Sequence, residues 1–511
     1  MSARTARIRL EPWSVEIEAT EGTPLMPVLA TNGVEFPCGG TGVCGGCGVR
    51  VVSGSLPVSD EDTAAFKPDE IADGWRLACQ ARAEGQLVLE CSRWRMDVLA
   101  DYARLTGVGK RGLGIAIDLG TTTIAAQMID LAVGDVLAVS TGLNPQVQTG
   151  SDVMSRIRAV LMGADLTTMV RSELKTMIAE LTRGLGHDVA EVLVVGNTVM
   201  HHLFCGLDVE PLAHAPFATP HLGARTFCSA DLGWPLPETC TIRFAQCIGS
   251  FVGADILAGI VASGIAEGER LVALIDLGTN GEIAIGNRDR VVCASTAAGP
   301  AFEAGCIRMG MRAAQGAIAH VTRYDGALRT TVIGDVEPRG ICGSGVVDAI
   351  ATGLEMGSIL TSGRLADGTK VLPVAGPVSL FQSEIRELQL AKAAIASGFN
   401  LLLAHLGATP RDLRSIFLAG AFGNYLHIES AVRIGLIDAP AELIHAAGNT
   451  ALRGAKLMLL SEEEPALPPI GHVNLATVPG FQDEFARCMA FPVGGLAARS
   501  QSGRSDITFR P

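Results

Sequence analysis

Four cysteines near the beginning of the chain have the residue type and spacing of a metal centre. Cys38, Cys44 and Cys47 lie in one glycine-rich stretch, FPCGGTGVCGGCGVR (36–50), with the spacing C-x5-C-x2-C, and Cys79 ends the stretch GWRLAC. Four thiolates from one loop and one distant segment are the ligands that a [2Fe-2S] cluster needs, and the glycines let backbone N–H groups point at its sulfurs. The sequence therefore predicts a [2Fe-2S] cluster at these cysteines.

Zinc and a disulfide are the alternatives for the same four cysteines. Structural zinc sites usually pair two C-x2-C knuckles, and this segment has one. The chain has 13 cysteines in all, and most of the others stand singly in apolar contexts such as VVCAS, which is typical of reduced core thiols. A cluster is favoured. The spacing between the first two cysteines is one residue longer than in plant-type ferredoxins, so the module resembles the ferredoxin fold in general.

A second kind of chemistry is indicated by two copies of one turn. Asp118 and Asp276 each end an apolar, strand-like run and each begin the sequence D-L-G-T. A glycine after a strand permits a tight turn whose N–H groups and hydroxyls hold phosphate oxygens, and the two carboxylates can face one Mg²⁺ and an attacking water. One D-x-G turn alone is common, but two copies favour a phosphate site. The residues predicted to hold phosphate are Gly120, Thr121, Thr122 and Thr123 in the first turn, and Gly278, Thr279 and Asn280 in the second.

Later glycines are candidates for a nucleoside site. Gly343 and Gly345 lie in GICGSGVVD, and Gly420 and Gly423 lie in LAGAFGNYL. Bare backbone at such positions admits a base and a ribose, although helix packing or a turn explains glycines equally well. The chain contains no G-x-x-x-x-G-K-[ST] phosphate loop.

The elements that must position these residues change in type along the chain. Residues 1–97 hold short alternating runs, including a hairpin over 7–20, and predict a small β-rich domain. From residue 113 onward, strand-like and helical patterns alternate, which predicts an α/β fold with open sheets covered by helices.

Two pairs of segments in the α/β part look like copies of each other. IDLGTTTIAAQMID (117–130) matches IDLGTNGEIAIGNRD (275–289), and VLVVGNT (192–198) parallels IFLAGAFGN (416–424). We infer an internal duplication with a cleft between the copies. The expected domains are 1–97, a linker at 98–112, a first subdomain at 113–205, a second subdomain with insertions at 206–492, and a flexible tail at 493–511.

Composition excludes several classes of function. The 511 residues carry a net charge of −13, which disfavours nucleic acid and anionic membrane surfaces as partners. The most membrane-like run, CIGSFVGADILAGIVASGIA, contains Asp255 and predicts a buried helix. The start, MSARTARIRLEPW, lacks the apolar region of a secretion signal. We expect a cytoplasmic protein.

The two phosphate turns and the later glycine-rich motifs resemble the actin, sugar kinase and Hsp70 superfamily of ATPases. Joined to a ferredoxin module, the pattern resembles the reductive activators of corrinoid-dependent proteins over nearly the whole chain. The segments that carry this likeness are NPQVQTGSDVMSRI (144–157), GNTVMHHLFCGL (196–207), IRELQLAKAA (385–394), LAGAFGNYL (418–426) and FQDEFARCMAFP (481–492).

The resemblance implies a β-grasp ferredoxin-like domain followed by duplicated actin-like (ribonuclease H-like) ATPase domains. It implies that one electron passes from the cluster to the Co(II) corrinoid of a partner protein, restoring Co(I) at the expense of ATP. It also implies a corrinoid-binding methyltransferase or corrinoid protein as partner, an external electron donor and a homodimer. Within the site it implies that Asp118 and Asp276 hold Mg²⁺ and water, with Glu282 orienting the water.

Other functions remain open on the sequence alone. A small-molecule kinase with a redox-sensing ferredoxin domain would need a separate general-base aspartate, and no motif for one stands out. An activator of a radical dehydratase also couples this ATPase fold to electron transfer, but its cluster bridges two subunits, whereas this chain holds a complete four-cysteine set. A binding protein of the Hsp70 type would leave the cluster unexplained.

Overall fold

The computed structural model describes most of the chain. The described residues are 4–11, 15–30, 42, 47–91, 105, 110–150, 152–183, 189–278, 280–299, 301–302, 304, 307–463 and 465–492. The predicted linker at 98–112 lies mostly outside these ranges, and the predicted tail at 493–511 lies wholly outside them. Among the described residues, no helix is both long enough and apolar enough to cross a membrane.

The first domain is a five-stranded mixed sheet with short helices. Its strand order is β2-β1-β5-β3-β4, with β1 and β2 forming the predicted hairpin and β5 running parallel to β1. Alternate residues of β1 are buried, as the period of two in its sequence predicts, and they form the core of the domain. The elements are β1 (Thr5–Glu11), β2 (Val15–Thr20), α1 (Leu25–Ala30), β3 (Gly48–Ser53), α2 (Asp60–Ala65), α3 (Pro68–Ala72), β4 (Trp75–Leu77) and β5 (Gln86–Cys91).

A first α/β lobe follows, built on a six-stranded sheet of order β10-β11-β9-β6-β7-β8. Strands β6 and β9 are parallel and buried, whereas β6, β7 and β8 form an antiparallel meander. The elements are β6 (Leu113–Leu119), β7 (Thr123–Asp130), β8 (Val136–Leu143), α4 (Val153–Leu161), α5 (Leu166–Leu181), β9 (Val189–Val195), α6 (Thr198–Cys205), β10 (Arg225–Cys228), α7 (Ser229–Leu232), β11 (Thr241–Phe244) and α8 (Ala254–Ser263), with 3-10 helices at Pro145–Thr149 and Glu210–Leu212.

The second lobe repeats this architecture in a six-stranded sheet of order β21-β20-β12-β13-β14-β22. Smaller sheets, β16-β15-β17 and β18-β19, are inserted after β14. The elements are β12 (Leu271–Leu277), β13 (Gly281–Gly286), β14 (Val291–Thr296), β15 (Ala317–Tyr324), β16 (Ala327–Val332), β17 (Gly340–Ile341), α9 (Gly343–Met356), β18 (Val371–Ala375), β19 (Val378–Phe381), α10 (Gln382–His405), β20 (Leu413–Ala419), α11 (Gly420–Tyr425), α12 (Ile428–Ile434), β21 (Ile444–Gly448), α13 (Thr450–Leu460), β22 (Ile470–His472) and α14 (Phe481–Met489), with 3-10 helices at Pro410–Asp412, Ala441–Leu443 and Leu475–Thr477.

The two lobes share one strand pattern, as the internal sequence copies predict. In each lobe the strand that ends in the D-L-G-T turn pairs antiparallel with the next strand and parallel with a later one: β6 with β7 and β9, and β12 with β13 and β20. A further parallel strand extends each sheet, β11 beside β9 and β21 beside β20. The duplication therefore covers the strands on which the candidate phosphate turns lie.

The first lobe continues beyond residue 205, where the sequence analysis ended it. Strands β10 and β11 join the first sheet, and Ile242 and Phe244 are buried in its core. The sequence between residues 206 and 240 has few apolar runs, and β10 and β11 are each only four residues long, too short for a clear periodic signal. The boundary between the lobes lies after α8, next to β12.

Two helices lie between the lobes. Helix α8 follows the last strand of the first sheet, and α13 follows β21 of the second sheet. They pack against each other, and α13 lies on β6 and β9 of the first sheet while α8 contacts β12 and β13 of the second. Each lobe thus places the beginning of one helix next to the other lobe's phosphate turn.

Candidate functional site

The described part of the cysteine set lies at the ends of two paired strands. Strands β3 and β4 are antiparallel, with Gly48 opposite Leu77, so Cys47 and Cys79 lie just beyond the same end of the ladder. The N–H of Ala78 donates to the carbonyl oxygen of Cys47 at 3.1 Å, which holds the two segments together. Cys38 and Cys44 lie outside the described residues.

The surroundings of these thiols fit an iron-sulfur cluster. Cys47 is 3% exposed, and the side-chain amide of Gln80 donates to Sγ of Cys79 at 3.5 Å. Gly42, in the same loop, has a φ of +80°, a conformation that glycine adopts without strain. Two cysteines at converging strand ends, one of them with a donor at its sulfur, fit the environment of a cluster.

The two phosphate turns lie at the ends of β6 and β12, as predicted. In the first, a Cβ on Gly120 would lie 2.6 Å from the carbonyl oxygen of Thr123, so the turn is too tight for another residue. In the second, the N–H of Gly278 donates to the carbonyl oxygen of Asn280 at 3.2 Å. Thr279 lies outside the described residues.

The first turn is held from behind by three side chains that the sequence analysis did not single out. The amide of Asn144 donates to the carbonyl oxygen of Gly120 at 2.9 Å. The guanidinium of the fully buried Arg156 donates to the carbonyl oxygen of Thr121. The amide of Asn197 donates to the hydroxyl of Thr121 at 2.8 Å. These contacts hold the backbone of the turn in place.

Asn144, Arg156 and Asn197 all lie in segments that carry the family resemblance. Asn144 and Arg156 belong to the segment 144–157, and Asn197 belongs to 196–207. The signal that could have found them was therefore present as a motif. Their partners are backbone and side-chain atoms far away in sequence, which the motif alone does not reveal.

Four carboxyl groups converge where the two turns face each other. They are Asp118 at the end of β6, Asp276 at the end of β12, Glu282 opposite Asp276 in the β12–β13 ladder, and Asp255 in the first turn of α8. Asp255 was predicted only to lie in a buried helix. No second local signal marks Asp255, because its place in the cluster depends on α8 reaching the other lobe.

All four carboxyl groups have raised pKa values, and burial is the largest cause for each. Removal from water raises the pKa of Asp118 to about 6, against the hydrogen bond from Asn449, which lowers it. Burial and the nearby Asp118 carboxylate raise the pKa of Asp276 to about 7. Burial, with the Asp276 and Asp118 carboxylates, raises the pKa of Asp255 to about 8. Burial and the neighbouring Asp255 and Asp276 also raise the pKa of Glu282.

This donor set suits Mg²⁺ bound together with phosphates. Carboxylates that raise one another's pKa are stabilised by a cation, and oxygen ligands are those Mg²⁺ prefers. In the described residues, these carboxylates do not form a set of three with oxygens all within 4.8 Å of one another. Mg²⁺ commonly takes only one or two carboxylates, and substrate phosphates and waters complete its coordination.

Of the four glycines predicted to line a nucleoside, one lies beside the second turn, and packing accounts for the other three. A Cβ on Gly343 would lie 1.7 Å from the carbonyl oxygen of Phe302, and one on Gly345 would lie 2.2 Å from that of Ile318. Gly423 is packed against the end of β20. Gly420 differs, because it has a φ of +84° and its Cβ would lie 2.8 Å from Oδ1 of Asp276. It therefore keeps space beside the carboxylate.

An iron-sulfur domain joined to a duplicated two-lobed fold with paired phosphate turns defines a class: ferredoxin modules fused to ATPases of the actin type. Three family models match the chain in order. Residues 8–84 match the 2Fe-2S iron-sulfur cluster binding domain, residues 113–268 match the RACo middle region, and residues 270–501 match the C-terminal domain of RACo, the ASKHA domain. The fold class and the [2Fe-2S] cluster predicted from the sequence are confirmed.

Comparisons over more than two thirds of the chain give the family. The chain is 35% identical over 411 residues to the corrinoid activation enzyme RamQ of Eubacterium limosum, covering 73% of this chain and 69% of the relative. It is 29% identical over 383 residues to the [Co(II) methylated amine-specific corrinoid protein] reductase of Methanosarcina barkeri, covering 68% and 70%. It superimposes on the structure of a reductive activator for corrinoid, iron-sulfur protein with a TM-score of 0.65, at 26% identity, covering 95% of this chain and 98% of that one.

The chain belongs to the family of corrinoid-activating reductases. The resemblance stated from the sequence is thereby confirmed, as is the class of enzyme that it implies.

Proposed function

We propose that this enzyme uses ATP and Mg²⁺, held between its two lobes, to drive one electron from its [2Fe-2S] cluster to the Co(II) corrinoid of a partner protein. The observation that carries the proposal is the meeting of both phosphate turns and four raised-pKa carboxyl groups in one cleft, in the same chain as the ferredoxin domain. The partner is a corrinoid protein or a corrinoid-binding methyltransferase, as the names of the relatives suggest. A homodimer, an external electron donor and a cytoplasmic location complete the proposal.

Each group in the cleft has a separate task in ATP hydrolysis. Asp118 and Asp276 hold Mg²⁺ from the two sides, and the turns at 120–123 and 278–280 bind phosphate oxygens. Glu282 is 7% exposed and lies beside Asp276 in the ladder, a position suited to orienting the attacking water. Asp255 adds negative charge next to Asp276 and strengthens the attraction for the cation.

The energy balance explains why an ATPase accompanies the cluster. A plant-type [2Fe-2S] cluster has a potential of about −400 mV, and Co(I) is a still stronger reductant. Each 100 mV uphill costs about 2.3 kcal/mol per electron. ATP binding and hydrolysis supply the free energy that offsets this cost.

The ferredoxin domain touches the first lobe close to the first phosphate turn. Helix α1 packs against the 3-10 helix Pro145–Thr149. Gln146 in that helix accepts a hydrogen bond of 3.1 Å from Arg156, whose guanidinium also donates to the backbone of the phosphate turn. Nucleotide that shifts the turn therefore acts on a short, buried chain of contacts that ends at the ferredoxin domain.

A second contact joins the ferredoxin domain to the other lobe. Arg308 forms an ion pair with Glu70 of α3, and its guanidinium lies 4.5 Å from the ring centroid of Phe381. The ferredoxin domain therefore contacts both lobes. A change in the angle between the lobes would therefore alter both contacts.

Separate loss of the two activities tests the proposal. Cys79→Ser should remove iron and acid-labile sulfide and abolish Co(II) reduction, while ATP hydrolysis remains measurable. Asp276→Asn should keep the cluster and lose ATP hydrolysis by about 100-fold or more, together with Co(II) reduction. The assay follows the absorbance of a corrinoid-binding protein loaded with cob(II)alamin, under anaerobic conditions with a chemical reductant.

Cys228→Ser is the matched control, because Cys228 is exposed and lies in β10 of the first lobe, outside the ferredoxin domain. It should retain both activities. Complete Co(II) reduction by the unsubstituted enzyme without nucleotide would contradict the role given to ATP. Equal loss of both activities in Cys79→Ser would contradict the division of tasks between the domains.

A further inference from the structure

Three potential metal ligands meet in the second lobe, outside the nucleotide cleft. They are His320 on β15, Asp348 on α9 and His427 just before α12. One ligand atom from each lies within 4.8 Å of the others, and within the described residues this is the one group of three such donors so close together.

The two carboxylate oxygens of Asp348 differ in their hydrogen-bond partners. Nδ1 of His427 and Nδ1 of His320 lie 2.8 Å and 3.3 Å from Oδ2 of Asp348, which also accepts from the N–H of Val321 at 3.3 Å. Oδ1 of the same carboxylate is buried and has no hydrogen-bond partner. Asp348 is 0% exposed, so this oxygen has lost its water without gaining a partner.

The two imidazole rings are stacked rather than spread apart. Their centroids are 4.1 Å apart and their planes differ by 21°. Both rings turn Nδ1 toward the same carboxylate while their outer edges reach solvent, with side chains 34% and 44% exposed. A cation can therefore enter from the solvent side, and the buried carboxylate gains the positive charge that it lacks.

We propose that His320, Asp348 and His427 bind a divalent cation of the Zn²⁺ class. Two imidazoles and one carboxylate are typical ligands for zinc and unsuited to Mg²⁺ or Ca²⁺, which prefer oxygen. Ligands about 2.0–2.1 Å from a tetrahedral ion lie about 3.3 Å apart. The present spacings of 3.3 Å and 2.8 Å need little change to reach that value.

The position of the site indicates what such an ion does. Helix α11, which begins with Gly420 beside Asp276, ends just before His427. Strand β15 and α9 pack against each other and carry the other two ligands. A bound ion ties the segment that follows α11 to the β15–α9 unit and so steadies the glycine turn next to the nucleotide cleft.

Zinc binding by the full-length, cluster-containing protein tests the proposal. After anaerobic removal of loosely bound metal, Zn²⁺ is titrated against a chromophoric zinc chelator. We expect one tight equivalent in the unsubstituted protein, and affinity weaker by about 100-fold or more in His427→Ala and Asp348→Asn, since even loss of an outer-shell partner costs 10–100-fold. His445→Ala, which removes an exposed histidine on β21, should bind as the unsubstituted protein does.

X-ray absorption at the zinc edge separates this site from the cysteines. The bound ion should show only nitrogen and oxygen neighbours at about 2.0–2.2 Å, without the sulfur shell at about 2.3 Å. A sulfur shell, absence of a tight equivalent, or equal affinity in all four proteins would overturn the proposal. Unchanged iron content and circular dichroism in the variants ensure that lost binding reflects lost ligands rather than unfolding.

Discussion

The side-chain amide of Asn449 donates a hydrogen bond of 2.9 Å to Oδ2 of Asp118, although the two residues are 331 positions apart. Asp118 lies at the end of β6 of the first sheet, whereas Asn449 caps α13, which follows β21 of the second sheet. In the other half of the duplication, Asp255 in the first turn of α8 lies near Asp276. Asp118 and Asp276 thus each meet the start of a helix that comes from the other lobe, but one partner is a neutral donor and the other an acid.

Replacing Asn449 by serine should move the pH profile of ATP hydrolysis. The amide lowers the pKa of Asp118 against the burial that raises it to about 6. Serine keeps an oxygen for the helix cap, which Leu452 N–H now contacts at 2.8 Å, and loses the long amide donor. Because the role proposed for Asp118 in holding Mg²⁺ requires its ionised form, the acid limb of kcat/KM should shift upward by about one pH unit.

The control for this substitution is Asn474→Ser, which alters another asparagine cap at an exposed 3-10 helix. Its pH profile should match that of the unsubstituted enzyme. An unshifted acid limb in Asn449→Ser would mean that this hydrogen bond does not govern the ionisation of Asp118 during turnover.

The sequence predicted the sheets of this protein better than it predicted the cleft between them. Apolar runs and the repeated D-L-G-T turns are local signals, and they located β6, β12 and the carboxylates that end these strands. Asp255 and Asn449 reach the cleft only because α8 of the first lobe packs on the second sheet and α13 of the second lobe packs on the first sheet. That arrangement depends on contacts far apart in sequence, and no local period reports it.

The same physical limit applies to the packing glycines. The sequence is equally compatible with Gly343 and Gly345 contacting a nucleoside or allowing close packing, since both roles require the absence of a side chain. The carbonyl groups of Phe302 and Ile318 that exclude a Cβ come from other elements. Only the folded arrangement shows that close approach of backbone already explains these residues.

Protonation of the carboxylate cluster should make stability depend on pH in a defined direction. The pKa values of Asp276 and Asp255 are raised to about 7 and about 8, from 3.8. Between pH about 4 and about 8, these two carboxyl groups keep protons in the folded protein that they have released in the unfolded chain. The two groups therefore cause the free energy of unfolding to fall as pH rises through this range. In the proposed site Mg²⁺ binds the ionised carboxylates, so its stabilising effect on Tm should be larger at pH 8 than at pH 6.

Asp255→Asn removes one source of this dependence. Without Mg²⁺, the variant should have a higher Tm than the unsubstituted protein at pH 8, and a smaller difference at pH 5. Asp289→Asn is the control, because Asp289 has a side chain that is 76% exposed. A Tm difference for Asp255→Asn that stays constant from pH 5 to 8, measured by thermal unfolding, would show that Asp255 is not protonated in this range.

Arg156→Lys should loosen the first phosphate turn. The guanidinium donates to the turn and also to Oε1 of Gln146 at 3.1 Å and the carbonyl oxygen of Gly150 at 3.3 Å. A lysine is a single point donor and cannot serve all three acceptors. Leaving a buried acceptor unsatisfied costs about 1–3 kcal/mol, so we expect a lower unfolding free energy and a raised KM for ATP.

Arg158→Lys provides the matched control, because Arg158 lies exposed on the same helix, α4. Its free energy of unfolding, measured with denaturant, and its KM for ATP, measured by steady-state kinetics, should equal those of the unsubstituted protein. If Arg156→Lys loses stability while KM for ATP stays the same, the arginine supports the fold and not the phosphate turn.

Exchanging the charges of Glu70 and Arg308 tests whether docking of the ferredoxin domain matters for electron transfer. Arg308→Glu places two acids together between α3 and the second lobe, so Co(II) reduction should fall by up to about 5-fold, as the 0.2–1 kcal/mol of an exposed ion pair allows, while ATP hydrolysis stays unchanged. The double variant Glu70→Arg/Arg308→Glu restores opposite charges and should recover the rate relative to Glu70→Arg alone. That comparison removes the effect of losing the Glu70 cap on Lys67 N–H, which both variants share.

Reversing the charges of the exposed pair Glu269 and Arg288 is the control, and it should leave the rate of Co(II) reduction unchanged. If the double variant is no faster than Glu70→Arg, the ion pair does not hold the domain in the position from which it transfers the electron.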